Sequence, residues 1–325
     1  MKLSKAIRRY VEWKRFCGRS FLTEEQVLRG FLRFAGDVEL SEVTKKQVFL
    51  YFRSQRIRVA TWQGKYGTLV LFFRHWAQRG KLRVIPLPPQ RAVPQNVFVP
   101  HIYSRTQIRK LLATVPLNQR SLNCMIDAKT LRAFLLFLYG TGAYVGEALR
   151  LKTTDIDLEE GIVKVRRVAG ARERTLPVAG HIRNVLLTYR NALPESYRTA
   201  QAFFVDKLGK SLNPTTVAKM FQKLRRRAGI YRTDGLRTRP RLHDFRHTFA
   251  VHCLTAWLNQ GKDLRRMLPA LSAYLGLTKF ASAERYLRMV PERFRPQLLA
   301  LVGSRSKPVS NTFQRKSLTR LAAQG

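Results

Sequence analysis

The sequence predicts a mainly α-helical protein with one small antiparallel β-sheet, organised as two domains. Three features carry that expectation. Apolar residues recur at helical spacing along most of the chain, a short stretch near residue 170 switches to strict alternation, and a proline-rich segment separates two strongly patterned regions. The length, 325 residues, also exceeds what one hydrophobic core usually organises.

In chain order, Thr23-x-x-Gln26 precedes an apolar series at Val27, Phe31 and Phe34, and Thr44-x-x-Gln47 precedes another at Val48, Tyr51 and Phe52. Both read as capping boxes, in which a hydroxyl and an amide side chain satisfy the first free amides of a helix. Tyr66, Leu69, Phe73 and Trp76 complete a small helical domain over residues 1–83 with a heavily basic surface. Residues 84–103 include the run VIPLPPQRAVPQNVFVP (84–100), whose five prolines favour extended backbone, and are assigned as a linker. A second domain is expected over 104–300. Ser104-x-x-Gln107 caps its first helix, and LRAFLLFLYG (131–140) is apolar all round, as a buried helix would be. In GIVKVRRVAGARERTLPV (161–178) the period becomes two: Val163 and Val165 alternate with Lys164 and Arg166, and Ala169-Gly170 supplies a turn, so a β-hairpin is predicted. Helical patterns follow around 214–228, 243–257, 264–275 and 281–289, and a basic tail occupies 301–325.

Charge points to the partner. Lys and Arg number 61 against 20 Asp and Glu, a formal net charge of +41. Such a surplus repels itself in the free protein and is neutralised by a polyanion, above all the phosphate backbone of nucleic acid. An anionic membrane surface is the competing partner. The longest apolar run, AFLLFLY (133–139), is far too short to cross a bilayer, and no signal-peptide pattern is evident, so a cytoplasmic protein associated with the nucleoid is expected. Cys17, Cys124 and Cys253 are widely spaced and form no CxxC pair, which predicts neither a zinc site nor a disulfide framework but buried small apolar side chains. In KLRRRAGIYRTDGLRTRPR (223–241), Pro240 and two glycines break helical continuity, so that Arg225, Arg226, Arg227, Arg237, Arg239 and Arg241 are candidates for phosphate contact, together with Lys164 and Arg172 of the hairpin.

That run leads into LHDFRHTFA (242–250), where His243, Arg246 and His247 fall at i, i+3 and i+4 and would share one helical face. Further on, Tyr286 is flanked by Arg285 and Arg288. A phenol, with a pKa of about 10, is a poor nucleophile unless cations hold a phosphodiester and stabilise the charge that develops during attack. Arginine suits that task because its planar fork bonds two phosphate oxygens and stays protonated.

LYGTGAYVGEALRLKTTDIDL (138–158), the hairpin closing on RTLPV, LHDFRHTFAVH (242–252) and LPALSAYLGLTKFASAERYLRMVPE (268–292) resemble, in order and spacing, the boxes of the tyrosine recombinases, the phage integrase family, and especially integrase-like recombinases encoded by transposons. The resemblance implies a helical SAM-like N-terminal core-binding domain and an α+β catalytic domain closing on double-stranded DNA. It also implies cleavage through a 3′-phosphotyrosyl intermediate, strand exchange among several recombinase subunits, and no metal or nucleotide cofactor. On the family pattern Tyr286 is the nucleophile, Arg246 a phosphate clamp and His243 the accompanying donor or proton-transfer residue, while His247 is structural.

Three positions depart from that pattern. Tyr144 stands where the family has its first catalytic arginine, the position matching the hairpin lysine falls at about Ala169, and Leu277 replaces a histidine nine residues before Tyr286. Arg150, six residues past Tyr144, lies about 240° further round a helix and is a poor substitute. Losing one preorganised donor can cost roughly 10²–10³ in rate. The pattern therefore predicts a DNA-binding recombinase homologue acting as an impaired or non-autonomous subunit of a larger complex. The alternatives are a fully active recombinase that recruits Lys279 or Arg172, and a non-catalytic architectural or regulatory DNA-binding protein.

Overall fold

The computed structural model describes residues 1–19, 21–54, 59–90, 99–117, 124–166, 173–236, 238–277, 285–296 and 298. It divides into two units, Met1–Val99 with Arg166–Glu173, and Pro100–Val165 with Arg174–Gly325.

Among the described residues the first unit is built on the α-helices α1 (Leu3–Phe16), α2 (Leu22–Ala35), α3 (Lys45–Arg53) and α4 (Val59–Ala77). Leu3, Ala6, Ile7, Tyr10 and Val11 make one buried stripe on α1, at the spacing expected of a helix with a single apolar face. Thr44 and Gln47 form the expected reciprocal cap of α3: the Gln47 amide donates to Thr44 Oγ1 at 3.2 Å and the Thr44 amide to Gln47 Oε1 at 2.8 Å. The expected Thr23 cap is not formed. α2 begins before it, with Phe21 at the N-cap in the left-handed region at φ 47°. The reason is tertiary: the buried Phe21 ring meets Tyr10 edge-on at 5.5 Å and anchors the approach to the helix, and Glu25 of the first turn pairs with Arg15 at 2.5 Å. The buried face of α2 is correspondingly Leu28 and Phe31, and Phe34 is 42% exposed. Phe31, Tyr51, Phe52, Trp62, Tyr66, Phe72 and Phe73 fill the core. The Tyr66 hydroxyl donates to Pro88 O at 2.7 Å, so the first part of the predicted linker packs with this unit.

The second unit contains α5 (Arg105–Thr114), α6 (Ala128–Thr141), α7 (Val145–Leu149), a sheet of β1 (Ile156–Asp157), β2 (Ile162–Val165) and β3 (Arg174–Pro177), then α8 (Gly180–Asn191), α9 (Glu195–Arg198), α10 (Pro214–Arg227), α11 (Asp244–Asn259) and α12 (Leu264–Leu275). Ser104 and Gln107 cap α5 reciprocally as predicted, at 3.1 Å in both directions. The sheet is antiparallel in the order β1-β2-β3, with Val163 opposite Leu176. Val163, Val165 and Leu176 point into the core and Lys164 points out, the alternation read from the sequence. α6 is buried along most of its length, and at Gly140 it passes so close to α8 that a Cβ would lie 2.2 Å from Ile182 Cδ1. The last residues of the predicted linker belong here: Tyr103 is fully buried, its ring stacked on Phe245 at 5.1 Å. A smaller apolar cluster joins α11 and α12 and includes Tyr286, Val290 and Phe294. Of the helix predicted over 281–289, residues 285–287 are helical and 281–284 lie outside the described residues.

Among the described residues no helix is long and apolar enough to cross a membrane. No two cysteines are joined by a disulfide; Cys124 is buried as expected, Cys253 is half-buried, and Cys17 is exposed because the apolar stripe of α1 ends at Val11.

Candidate active site

The site is assembled on the first turn of α11. Asp244 opens the helix, and its buried carboxylate accepts from the Arg241 amide at 2.9 Å and from Arg241 Nη2 at 3.3 Å. One turn on, Thr248 donates its hydroxyl to Asp244 O at 2.9 Å and accepts from the Tyr103 amide at 3.0 Å. With the helix start clamped on one side and Phe245 buried on the other, His243, Arg246 and His247 project together on one face, as their spacing predicted.

Arg246 is only 2% exposed. Its Nη1 donates to Gly142 O at 2.9 Å and its Nη2 to Leu275 O at 2.6 Å. These carbonyls stand at the C-terminal ends of α6 and α12, where the helix dipoles are negative, and each helix closes on a glycine with positive φ, Gly142 at 61° and Gly276 at 64°. At Gly142 a Cβ would come within 2.6 Å of the Phe249 ring, so glycine is needed there for space as well as conformation. One face of the guanidinium is covered by Tyr144, whose ring centroid lies 3.8 Å from Cζ. A desolvated cation over a phenol face gains about 2 kcal/mol. Burial pushes the Arg246 pKa down, and the nearby Tyr144, Tyr286 and Glu147 oppose that shift.

Tyr286 is 4% exposed, and its ring sits 5.6 Å from that of His247. Burial raises the phenol above its ordinary value, while the charge of Arg246, a hydrogen bond from Arg246 and the charge of Arg285 act in the opposite direction. His243 stacks on Tyr144 with centroids 5.3 Å apart and planes 12° from parallel, and it meets His247 edge-on at 5.5 Å. Burial, then Arg246 and Arg241, lower the His243 pKa; burial, then His243 and the surrounding arginines, bring His247 down to about 4, so it is neutral at pH 7. His247 Nδ1 is buried and accepts no hydrogen bond among the described residues.

Behind Tyr144 lies an ion pair that the sequence did not single out. Arg174 of β3 bonds Glu147 of α7 through both terminal nitrogens, at 2.6 and 2.8 Å, and donates its Nε to Tyr274 O at 3.1 Å. The Tyr144 amide donates to the same carboxylate at 2.8 Å. Burial acts to raise the Glu147 carboxyl, but these donors outweigh it and hold the group below its ordinary value. No local signal marks Arg174, which sits in a hairpin already rich in arginine.

Thus Tyr286 is brought to Arg246 and His243 from about 40 residues further along the chain, and Tyr144 stands among them. Leu277 packs partly buried against the α11–α12 cluster. Arg150 is exposed and its side chain lies over Gly146. Ala169, Arg172, Arg237 and Lys279 lie outside the described residues. Of the remaining phosphate-contact candidates, Lys164, Arg226, Arg227, Arg239 and Arg241 are exposed, although Arg227 also donates to Leu117 O at 2.7 Å. Arg225 is a correction. It is 3% exposed, stacks over Tyr231 and donates to Ile230 O and Gln222 Oε1, because it falls on the same face of α10 as Phe221 and Leu224 and is drawn inward to hold the following loop. In the first unit a cleft of about 680 Å³ is lined from α2 by Gln26 and Arg33 and from α4 by Thr61, Lys65 and Thr68.

A family model described as the phage integrase family matches residues 104–292. A protein of Sinorhizobium fredii described as an integrase/recombinase, y4rB, is 28% identical over 300 residues, covering 88% of this chain and 93% of its own. The tyrosine recombinase XerC of Lactobacillus leichmannii is 27% identical over 227 residues, 67% of this chain and 70% of its own. Among solved structures, the Tn1549 transposon integrase in complex with a circular intermediate DNA superposes with a TM-score of 0.63 at 15% identity, covering 86% of this chain and 94% of that one. A lambda integrase dimer bound to a COC′ core site gives 0.60 at 17% identity, covering 86% and 96%. At such identities the structural likeness concerns the fold.

Proposed function

The chain belongs to the phage integrase family, and on that premise we propose that it binds duplex DNA and takes part in site-specific recombination, integration or transposition through a phosphotyrosyl bond at Tyr286. The observation that carries this reading is the convergence of Tyr286, Arg246 and His243 on one cluster behind a chain of +41 net charge. In the step proposed, Tyr286 Oη bonds to a backbone phosphorus and gives up its proton, the P–O5′ bond breaks, and the 5′ oxygen leaves carrying a proton. Arg246 and His243 offset the charge that accumulates on the non-bridging oxygens.

The cleavage expected of the isolated chain is slow. Tyr144 offers a neutral ring where the family pattern has an arginine, Leu277 offers no donor, and Arg246 already spends hydrogen bonds on Gly142 and Leu275. Such groups act as a unit, so their losses do not simply add. The chain is accordingly read as one subunit of an assembly on DNA, with other recombinase subunits as partners. Arg226, Arg239 and Arg241 in the second unit, and Arg33 with Lys65 in the first, supply sequence-independent phosphate contact.

The test is incubation of the full chain with a nicked duplex carrying the ends of the DNA element that encodes it. A slow covalent adduct, lost in Tyr286→Phe with duplex binding retained, is the expected result. A rapid, abundant adduct removes the claim of impairment, and failure to bind duplex at low salt removes the function itself.

A further inference from the structure

Tyr144 has no role in the step just described, yet it touches two of the three side chains that perform it. Its backbone is anchored: the amide donates to Glu147 Oε2, and that carboxylate is gripped by both terminal nitrogens of Arg174. From this fixed root the ring reaches the Arg246 guanidinium face at 3.8 Å and stacks on the His243 imidazole at 5.3 Å and 12°. The edge of Arg246 is bonded to two helix-end carbonyls, so its plane is held at two points and the aromatic face closes the third direction. A second arginine at this position would place a cation against Arg246. A phenol ring keeps Arg246 buried through its quadrupole and adds no charge.

We propose that Tyr144 is a positioning residue whose ring face, rather than its hydroxyl, sets the mutual orientation of Arg246 and His243 for attack by Tyr286. The inference rests on the phosphotyrosyl reading of this site. The substitution at 144 is then an exchange of one device for another: the donor is lost, but the wall that orders the remaining two is built from the same backbone position. The other titratable and charged groups around His243 are Arg241, Asp244, Glu147 and His247, and His247 meets its ring edge-on rather than stacked.

Two measurements on the full chain test this, a ¹H–¹³C NMR titration of His243 and single-turnover adduct formation on the nicked duplex. They are made on the wild type, Tyr144→Phe, Tyr144→Ala and Tyr144→Leu. Tyr144→Ala uncovers the imidazole, so its titration midpoint should rise toward that of an exposed histidine. Tyr144→Leu refills the space without a ring and guards against simple collapse of the site. Both Ala and Leu should lower the adduct rate on the order of 10²-fold with duplex affinity unchanged, the cost of misplacing a reacting group by about an ångström. Tyr144→Phe should recover most of that rate and a wild-type His243 titration. An unmoved His243 midpoint in the Ala variant, a wild-type rate in the Leu variant, or a Phe variant as slow as Leu overturns the proposal. If the wild type forms no adduct at all, the phosphotyrosyl reading fails, and the His243 titration alone decides whether the ring orders the site.

Discussion

Arg246 and Arg226 lie in the same unit of a chain with a net charge of +41, and they are held in opposite ways. Arg246 is sealed between two helix C-termini and an aromatic face, whereas Arg226 stands exposed at the end of α10. Arg225, one residue from Arg226, is nevertheless buried on a backbone carbonyl. In so cationic a protein, charge alone does not say which arginines meet phosphate. A buried guanidinium needs fixed acceptors to offset desolvation, and those acceptors, rather than its charge, fix where it points.

The largest effect that would sharpen this contrast is expected at Glu147. Replacing it with alanine removes the buried carboxylate and leaves the partly buried Arg174 without its partner; breaking a buried pair costs about 3–5 kcal/mol, and the urea midpoint of the full chain should fall toward that loss with an unchanged slope. A loss near zero would mean that the pair is not part of the interior scaffold.

The α10 pair separates the two kinds of arginine more directly. Arg225→Ala should cost about 1–3 kcal/mol of stability because its acceptors lose their donor, with the salt dependence of duplex binding unaltered. Arg226→Ala and Arg239→Ala should leave the urea midpoint unchanged and each reduce the slope of log K against log salt by about 1. The opposite assignment, with Arg225 carrying the salt slope, would break the comparison.

The smallest effect is in pH. His247 is depressed to about 4 by burial, so the unfolded chain binds its proton first as pH falls below the ordinary histidine value of about 6.5. Stability is therefore full above about 6.5 and declines as pH drops toward 4. That contribution should disappear from the profile of His247→Gln. His75 of the first unit is lowered to about 4 in the same way, by burial and then Arg79 and Lys14, and serves as an internal comparison. A profile identical in wild type and His247→Gln would place His247 in water instead.

What could be read from the sequence follows from the range of the interactions involved. The Thr44 and Ser104 caps close within four residues, and the alternation at Val163 and Val165 is enforced by the pleat itself. The shared face of His243, Arg246 and His247 is a property of one helical turn. These local rules also explain the errors: Thr23 satisfied a capping pattern, but a distant ring contact between Phe21 and Tyr10 set the start of α2.

By itself, then, the sequence determined the helical and strand periods, two of the three predicted caps, the charge and the order of the boxes. Only the tertiary structure decided which cations are interior. Arg246 finds its acceptors 104 and 29 residues away, and Arg174 finds Glu147 at a separation of 27. It likewise turned Tyr144 from an absent arginine into a ring stacked on two neighbours. Periodicity encodes which face of an element is apolar, but a buried charge is placed by whichever fixed dipoles reach it once several elements have packed, and no spacing along one element records that meeting.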